Sequence, residues 1–206
     1  MYALVVNNSV TRVFPGPTGF EHNGNQYAPD IFYKWSKAEK EAIGLYEVTT
    51  DSTNYKDTNW YINTNESFAF ANNTVTRSWG TATAKAHADS LYTSQDNTDG
   101  LIPDDKEVGD VKVEGLKTQL IRTIKQQAAG ILQDTDWYIV RKADAGTAVP
   151  SSITTHRAAV RTKAAEMETA ITNASDTPAL ETLYTYTRQE DGSVTRPLGE
   201  LPRLEF

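Results

Sequence analysis

The sequence predicts an α+β fold, in which a small N-terminal antiparallel β domain with one short helix is followed by a helical hairpin and a short β-like C-terminal tail. Two patterns predict it. Short apolar runs separated by turn residues fill residues 1–83, and apolar residues recur at helical spacing from 113 to 175. Residues 84–112 carry no clear period and are assigned as a linker, and 176–206 as an extended C-terminal tail.

Turn signals divide the N-terminal domain into hairpins. The apolar runs Ala3–Val6 and Val10–Phe14 are joined by three polar residues, 7–9. The Asn-Gly pair at 23–24 is the preferred type I′ turn, because both of its central residues need a positive φ. Further strands are predicted at Leu45–Val48, Trp60–Ile62, Phe68–Phe70 and Val75–Trp79, with a turn at Asn72-Asn73.

One short helix is predicted inside this domain. Ser36 and Glu39 have the spacing of a capping box, in which each side chain bonds the backbone N–H of the other residue. Gly44 follows where a left-handed residue ends a helix.

Two amphipathic helices are predicted between residues 113 and 175, separated by a break at Asp134–Val149. Their apolar stripes consist of Leu116, Leu120, Ile124, Ala128, Ile131 and Leu132 in the first helix, and Ile153, Arg157, Val160, Ala164, Met167 and Ile171 in the second. We expect the two stripes to be buried against each other or against a partner chain.

The linker and the tail are predicted to hold little regular structure. Ala84–Tyr92 is a candidate helix within the linker. In the tail, strand-like segments at Tyr184–Thr187 and Val194–Arg196 flank a turn at Asp191-Gly192. The last residues, 196–206, form an extended strip that is interrupted by prolines.

Composition excludes several classes of function. The net charge is −7, and the basic residues are scattered among acids rather than gathered into the patch that nucleic-acid binding requires. No window approaches the ~20 apolar residues of a membrane span. There are no cysteines, which excludes disulfides and cysteine nucleophiles. We therefore expect neither nucleic acid nor a membrane as a partner.

No group of residues predicts catalysis. His22, His87 and His156 lack a second histidine three or four residues away and are interpreted as exposed or incidental. Asp134 and Asp136 are interpreted as turn and cap residues at a helix end. The sequence predicts that the chain is not an enzyme and has neither a cofactor nor a metal site.

Two parts of the chain resemble phage proteins. The longer match consists of Arg122–Leu132, Thr135-Asp136-Trp137-Tyr138, Arg141, Gly146, Pro150, Arg157 and Arg161. This pattern resembles the C-terminal domain of phage tail-fibre-associated and tail-assembly-chaperone-like proteins. In the N-terminal half, Met1–Val5, Trp35–Glu39 and Ile43–Val48 are similar to the openings of small tail proteins from phages of aquatic bacteria.

The resemblance implies a structural component of a bacteriophage tail, a baseplate or tail-fibre adaptor that acts through protein–protein interfaces. Its partners would be other tail proteins or further copies of itself. It would be made in the host cytoplasm and located in the virion tail. Two alternatives remain: a tail-fibre assembly chaperone absent from the mature virion, and a receptor-binding fibre domain. The latter is disfavoured because the chain lacks the repeats of fibre shafts.

The predicted sites are interfaces. We expect Trp137 to lie between the two helices, while Arg157 and Arg161, one helical turn apart, face the acidic corner at 134–136. The C-terminal strip cannot bury its apolar residues alone, so we expect it to dock on a neighbouring protein, and its removal (196–206) to leave the chain folded. The docking residues would be Leu198, Leu201, Leu204 and Phe206.

Overall fold

The computed structural model describes residues 1–204. Phe206, one of the residues predicted to dock on a neighbour, lies outside the described residues. The fold is mixed α+β, and the chain divides into two compact units, Met1–Thr83 and a second that begins at Ala84. Of the seven helices within residues 1–204, two lie in the first unit and five in the second.

The first unit is built around a five-stranded sheet. Its elements are β1 (Tyr2–Val6), β2 (Ser9–Phe14), β3 (Phe20–His22), β4 (Asn25–Tyr27), α1 (Ile31–Lys34), α2 (Lys37–Ala42), β5 (Leu45–Thr50), β6 (Tyr61–Ile62), β7 (Ser67–Ala71) and β8 (Thr74–Ser78), with β9 (Thr83–Ala84) at the boundary between the units. The strand order is β2-β1-β5-β8-β7. Because the outer strands β2 and β7 contact each other, the sheet curls.

The prediction of a purely antiparallel sheet is wrong at one pairing. β5 and β8 are parallel, whereas the other neighbouring strands of this sheet are antiparallel. The chain leaves β5, passes through residues 51–66 and forms the β7–β8 hairpin, which joins the sheet through its second strand. A hairpin that docks through its second strand places that strand parallel to β5, and no local sequence signal specifies which strand docks.

A β-bulge in β2 brings Val10 and Val13 to the same face of the sheet. The register of β1 against β2 shifts between Leu4 and Val5, so Thr11 is an extra residue. Because side chains alternate along a regular strand, Val10 and Val13 would lie on opposite faces without the bulge. The cluster that both of them join consists of Ala3, Val5 and Val75 with Tyr46, Val48, Phe68 and Phe70 packed around it.

A second, aromatic cluster involves the same strands. Its buried members are Leu4, Phe14, Phe20, Ile31, Phe32 and Leu45. The ring centroid of Phe14 lies 4.8 Å from that of Phe20 and 5.6 Å from that of Phe32, and such pairs add about 0.5–1.5 kcal/mol each beyond burial. Ile31 and Phe32 belong to α1, a single-turn helix that was not predicted, so the unit has two short helices rather than one.

The predicted turns and helix signals of this unit are confirmed. The turn positions with positive φ are Asn7 and Asn8, Asn23 and Gly24, and Asn72 and Asn73. Ser36 and Glu39 form the capping box that begins α2. Gly44 follows α2 with a φ of 79°. A side chain does not fit there, because an added Cβ would lie 2.5 Å from the carbonyl oxygen of Val5.

The second unit is mainly helical. Its elements are β10 (Ser90–Leu91), α3 (Ser94–Thr98), β11 (Val111–Val113), α4 (Leu116–Gln133), α5 (Asp136–Ala145), α6 (Ser151–Asn173), α7 (Thr177–Tyr184), β12 (Thr187–Arg188) and β13 (Val194–Thr195). The strands form two ribbons, β10–β11 and β12–β13. The second ribbon confirms the predicted turn at Asp191-Gly192, where Gly192 has a φ of 83°.

Residues 84–112, predicted as a linker, fold onto the helices of the second unit. The Asp89 carboxylate accepts hydrogen bonds from the Gly115 backbone N–H (2.7 Å) and the Thr118 hydroxyl (2.8 Å) at the start of α4. Gly115 has no side chain with which to cap α4. The carbonyls of Ala86 and His87 accept from the first two N–H groups of the helix, those of Leu116 and Lys117 (each 3.0 Å), and Asp89 adds a negative charge at its positive end. The stretch Ala84–Tyr92 is not the predicted helix and instead contains β10.

The packing of α4 against α6 is antiparallel. Lys117 at the start of α4 donates to the Thr172 carbonyl near the end of α6 (2.8 Å), and Arg157 near the start of α6 donates to the Leu132 carbonyl near the end of α4 (2.7 Å). The buried stripes are Leu116, Ile124 and Ala128 in α4, and Ile153, His156, Val160, Ala164, Met167 and Ile171 in α6. The predicted mutual burial of these two helices is therefore present.

Two predicted irregular segments are helices. The break assigned to Asp134–Val149 contains α5, whose apolar residues do not recur on one side, so helical periodicity does not reveal it. The tail begins with α7, where the Asp176 carboxylate accepts from the Ala179 N–H (2.8 Å) and Leu180 is fully buried. The helical hairpin is consequently one part of a five-helix unit.

The carboxylate of Asp96, in α3, forms an ion pair with Lys112 in β11. Asp96, whose residue is 8% exposed, forms a capping box with Thr93 and an ion pair with Lys112. The hydrogen bond from Lys112, followed by those from Thr93, lowers the pKa of Asp96 to about 2. Because the folded pKa lies below the usual value of 3.8, the resulting stabilisation is fully present above pH 3.8 and is lost as the pH falls through about 2.

We predict that Asp96→Asn destabilises the second unit above about pH 4, and that the difference from the wild type vanishes as the pH approaches 2. Urea unfolding followed by circular dichroism at 222 nm, repeated between pH 2 and 7, measures this difference. Asp99→Asn, an exposed position at the end of α3, is the control and should follow the wild type. A constant deficit of Asp96→Asn at every pH would contradict the assignment.

Candidate protein-interaction site

Arg157 fixes the corner at which α4, α5 and α6 meet. Its Nη1 donates to the Leu132 carbonyl and to the Thr135 hydroxyl, each at 2.7 Å, and its Nη2 lies 2.9 Å from an oxygen of Asp136. The side chain of Arg157 is only 13% exposed, and Thr135 is 2% exposed. One guanidinium therefore bonds a carbonyl at the end of α4, which also accepts from Thr135, and a carboxylate in the first turn of α5.

The prediction for this corner is correct for one arginine and wrong for the other. Arg157 faces Asp136 as expected. Arg161, one turn further along α6, is exposed and takes no part in this network. Both arginines directly follow a residue of the buried stripe, His156 or Val160, so the difference lies in their position along α6. Arg157 is level with the end of α4, at Leu132, and Arg161 lies one helical turn beyond it.

α5 exposes its apolar side chains. None of its ten residues is buried, and Trp137, Ile139 and Val140 are 51%, 43% and 64% exposed. Trp137 therefore does not lie between the two helices as predicted. Trp137 and Val140 lie three residues apart and share one side of the helix, and contiguous exposed apolar side chains mark candidate interaction surfaces.

The exposed indole of Trp137 belongs to a small aromatic platform. Its ring centroid lies 3.8 Å from that of Tyr138, and the Arg141 guanidinium lies 4.7 Å from the Trp137 ring and 5.3 Å from the Tyr138 ring. The Nε atom of Arg141 is buried without a hydrogen-bond partner among the described residues. The platform thus presents two rings and a guanidinium that is not fully bonded.

A cavity of about 270 Å³ adjoins this platform. Its lining consists of Ile131, Asp134, Thr135, Trp137, Tyr138, His156, Arg203 and Leu204. His156 is 8% exposed, and its Nε2 atom has no hydrogen-bond partner among the described residues. The interpretation of His156 as exposed or incidental is therefore wrong. The signal that could have located it is its position in the stripe, three residues after Ile153 and four before Val160.

The C-terminal strip packs on its own unit. Leu198 is 2% exposed, and its N–H donates to the Leu183 carbonyl at 3.0 Å, so it is not available to dock on a neighbour. Leu204 lines the cavity beside Trp137. The expectation that the chain stays folded without residues 196–206 stays a prediction, although their removal would take the buried side chain of Leu198 from the second unit and destabilise it.

A larger, more polar cavity of about 790 Å³ lies between the helices and the end of the chain. Leu201 lines it together with Gln127, Gly130, Ile131, Asp134, Met167, Tyr186, Val194, Arg196, Glu200 and Arg203. Arg196 is held by an ion pair with Glu200 (2.8 Å) and lies about 5 Å from the rings of Tyr184 and Tyr186. The hydrogen bond to Glu200 raises the pKa of Tyr186 above its usual value. These groups satisfy one another and hold the strip in place.

We predict that Arg157→Ala lowers the free energy of unfolding of the second unit by about 2 kcal/mol, because it leaves the Leu132 carbonyl and Asp136 without their charged partner. Arg161→Ala, one turn away and exposed, should change it by less than about 0.5 kcal/mol. Urea unfolding at 222 nm measures both. Equal effects of the two substitutions would show that Arg157 does not hold the corner.

Within residues 1–204, no group of three or more His, Asp or Glu side chains is placed to hold a metal ion. In the same part of the chain, no helix combines the length and the apolar character needed to cross a membrane. No family model, curated protein or solved structure matches this chain.

Proposed function

We propose that the chain is a structural component of a bacteriophage tail, a baseplate or tail-fibre adaptor that acts through protein–protein interfaces. The observation that supports this proposal best is α5, a ten-residue helix without a buried residue that exposes Trp137, Ile139 and Val140. This helix lies within the segment that resembles the C-terminal domain of phage tail proteins.

The second unit holds α5 in a fixed position, so the surface of this helix would already be formed before a partner binds. Arg157 holds the first turn of α5 through Asp136 and Thr135, so the exposed residues are presented by a fixed helix rather than by a loop. Fully burying an exposed large apolar side chain contributes about 1.5–3 kcal/mol, and covering a side chain that is about half exposed contributes about half of that. Trp137 and Val140, which share one side of α5, can therefore contribute to the free energy of a specific complex.

The two units support the adaptor role in particular. The first has its own hydrophobic clusters around Val75 and Phe14, and the second has its own core along α4 and α6. Units with separate cores can attach to separate partners, and two attachments on one chain strengthen each other through effective concentration.

Mass spectrometry of gradient-purified particles tests this function, with the chain quantified against the major tail proteins. We predict that the chain is present at a fixed ratio, and that Val140→Asp lowers its incorporation by about tenfold or more, since a buried charge would cost more than the ~1.4 kcal/mol which that factor requires. Val113→Asp is the matched control, because Val113 is 61% and Val140 64% exposed.

Incorporation of the wild type at a fixed ratio, with loss only for Val140→Asp, supports the proposal and places the interface on α5. Abundance in the infected lysate together with absence from particles would overturn it in favour of an assembly chaperone. Equal incorporation of both variants would show that α5 does not attach the chain to the tail.

A further inference from the structure

The end of the chain is anchored through residues 196–200. The N–H of Leu198, a buried residue, donates to the Leu183 carbonyl (3.0 Å), and Arg196 forms an ion pair with Glu200 (2.8 Å). No backbone–backbone hydrogen bond joins residues 201–204, called here the terminal segment, to the rest of residues 1–204. The position of the terminal segment therefore depends on its side chains.

The terminal segment lies over two cavities. Leu201 and Arg203 line the cavity of about 790 Å³, and Arg203 and Leu204 line the cavity of about 270 Å³. Ile131 of α4 lines both cavities as well. Folded proteins pack their side chains closely and leave few voids larger than a water molecule. The terminal segment is therefore not closely packed against α4 and has room to move toward it.

α4 has a gap in its row of side chains at the larger cavity. Gly130 lines this cavity, and a Cβ added to it would meet no atom within 4 Å. A glycine inside a helix makes that helix less stable than an alanine does, because glycine loses more backbone freedom on folding. It also allows another backbone to approach closely. Gly130 therefore leaves space that the terminal segment would fill in a position closer to α4.

Two opposite charges line both cavities. They are Asp134, at the end of α4, and Arg203, in the terminal segment. Both residues are exposed, and neither forms an ion pair within residues 1–204. Arg157, at the same corner, is already paired with Asp136. Because opposite charges attract more strongly as they approach, movement of the terminal segment toward α4 would be favoured by these two groups.

We propose that the terminal segment is a strap, which closes on α4 and α5 through an ion pair between Arg203 and Asp134 and covers Trp137 with Leu204. Leu204 and Trp137 already line one cavity, and the 51% exposure of Trp137 leaves surface to cover. The inference rests on the proposed function, because the closed strap lies on the α5 surface that a partner would bind. A partner then binds only molecules with an open strap, and its apparent affinity is lowered in proportion to the open fraction.

Removal of residues 201–206 tests whether the strap covers Trp137, and it keeps the anchor at Leu198 and Glu200. The measurement is the NMR signal of the Trp137 indole N–H in the isolated chain, together with its relaxation by a soluble paramagnetic agent. We predict that truncation shifts this signal and increases its relaxation, while the indole of Trp35, in the first unit, keeps both values. Unchanged shift and relaxation of Trp137 would overturn the strap.

A charge reversal distinguishes closure through the ion pair from simple contact of Leu204. Arg203→Glu should give the Trp137 shift and relaxation of the truncated chain, because two like charges then face each other. Asp134→Lys combined with Arg203→Glu should restore the wild-type values. Arg188→Glu is the matched control, since it makes the same charge change at an exposed position outside both cavities.

Two results of the charge reversal would overturn the ion pair. One is the wild-type shift and relaxation of Trp137 in Arg203→Glu. The other is a double variant that keeps the values of Arg203→Glu alone. Circular dichroism at 222 nm checks the fold, and we expect the same spectrum from every one of these variants because each alters exposed residues.

Competition for assembly tests whether a partner must displace the strap. The wild type and the chain without residues 201–206 are expressed together, and their ratio in purified particles is divided by their ratio in the lysate. We predict an enrichment of the truncated chain of at least about twofold, which corresponds to a strap that is closed in half or more of the molecules. No enrichment, or depletion, would overturn displacement of the strap. Absence of both chains from particles would overturn the proposed function alone, because the indole signals of the isolated chain decide the strap independently.

Discussion

The guanidinium of Arg157 is the contact on which the candidate site depends. It is bonded at once to the end of α4 through Leu132, to the buried Thr135 and to Asp136 in the first turn of α5. Burial of apolar side chains along α4 and α6 contributes more free energy, but it depends little on the point at which α5 leaves these two helices. A hydrogen bond to a charged group, by contrast, contributes about 1.5–3 kcal/mol and has a strict geometry. Arg157 therefore contributes more to fixing the position of α5 than to the free energy of unfolding of the second unit.

The function proposed for the chain follows from the apolar side chains of α5 that its own unit does not bury. Its apolar residues are not buried, and a cavity lined by Trp137, Tyr138 and Leu204 adjoins it. A helix that served only the stability of its own unit would bury one face. These features support the proposal that α5 is a surface for a partner protein.

Sequence patterns predicted the local features well because each depends on neighbouring residues. The Asn-rich turns, the capping box of Ser36 and Glu39 and the glycine at position 44 need only local backbone geometry. The features that were missed depend on distant partners. Asp89 caps a helix 26 residues away, and Thr177 donates to the carbonyl of Lys85 (2.6 Å). The parallel pairing of β5 with β8 likewise has no local signature, and α5 has no apolar stripe and no buried residue that would mark it as a helix in the sequence.

Photo-crosslinking within assembled particles tests the central claim, that a partner protein covers α5, most directly. A crosslinking residue would replace Val140 on α5 and, in a parallel sample, the equally exposed Val113. The account predicts a single major crosslink from position 140 to another tail protein and none of comparable yield from position 113. Normal incorporation of the chain with no intermolecular crosslink from position 140 would contradict it, because α5 would then face solvent in the assembled tail.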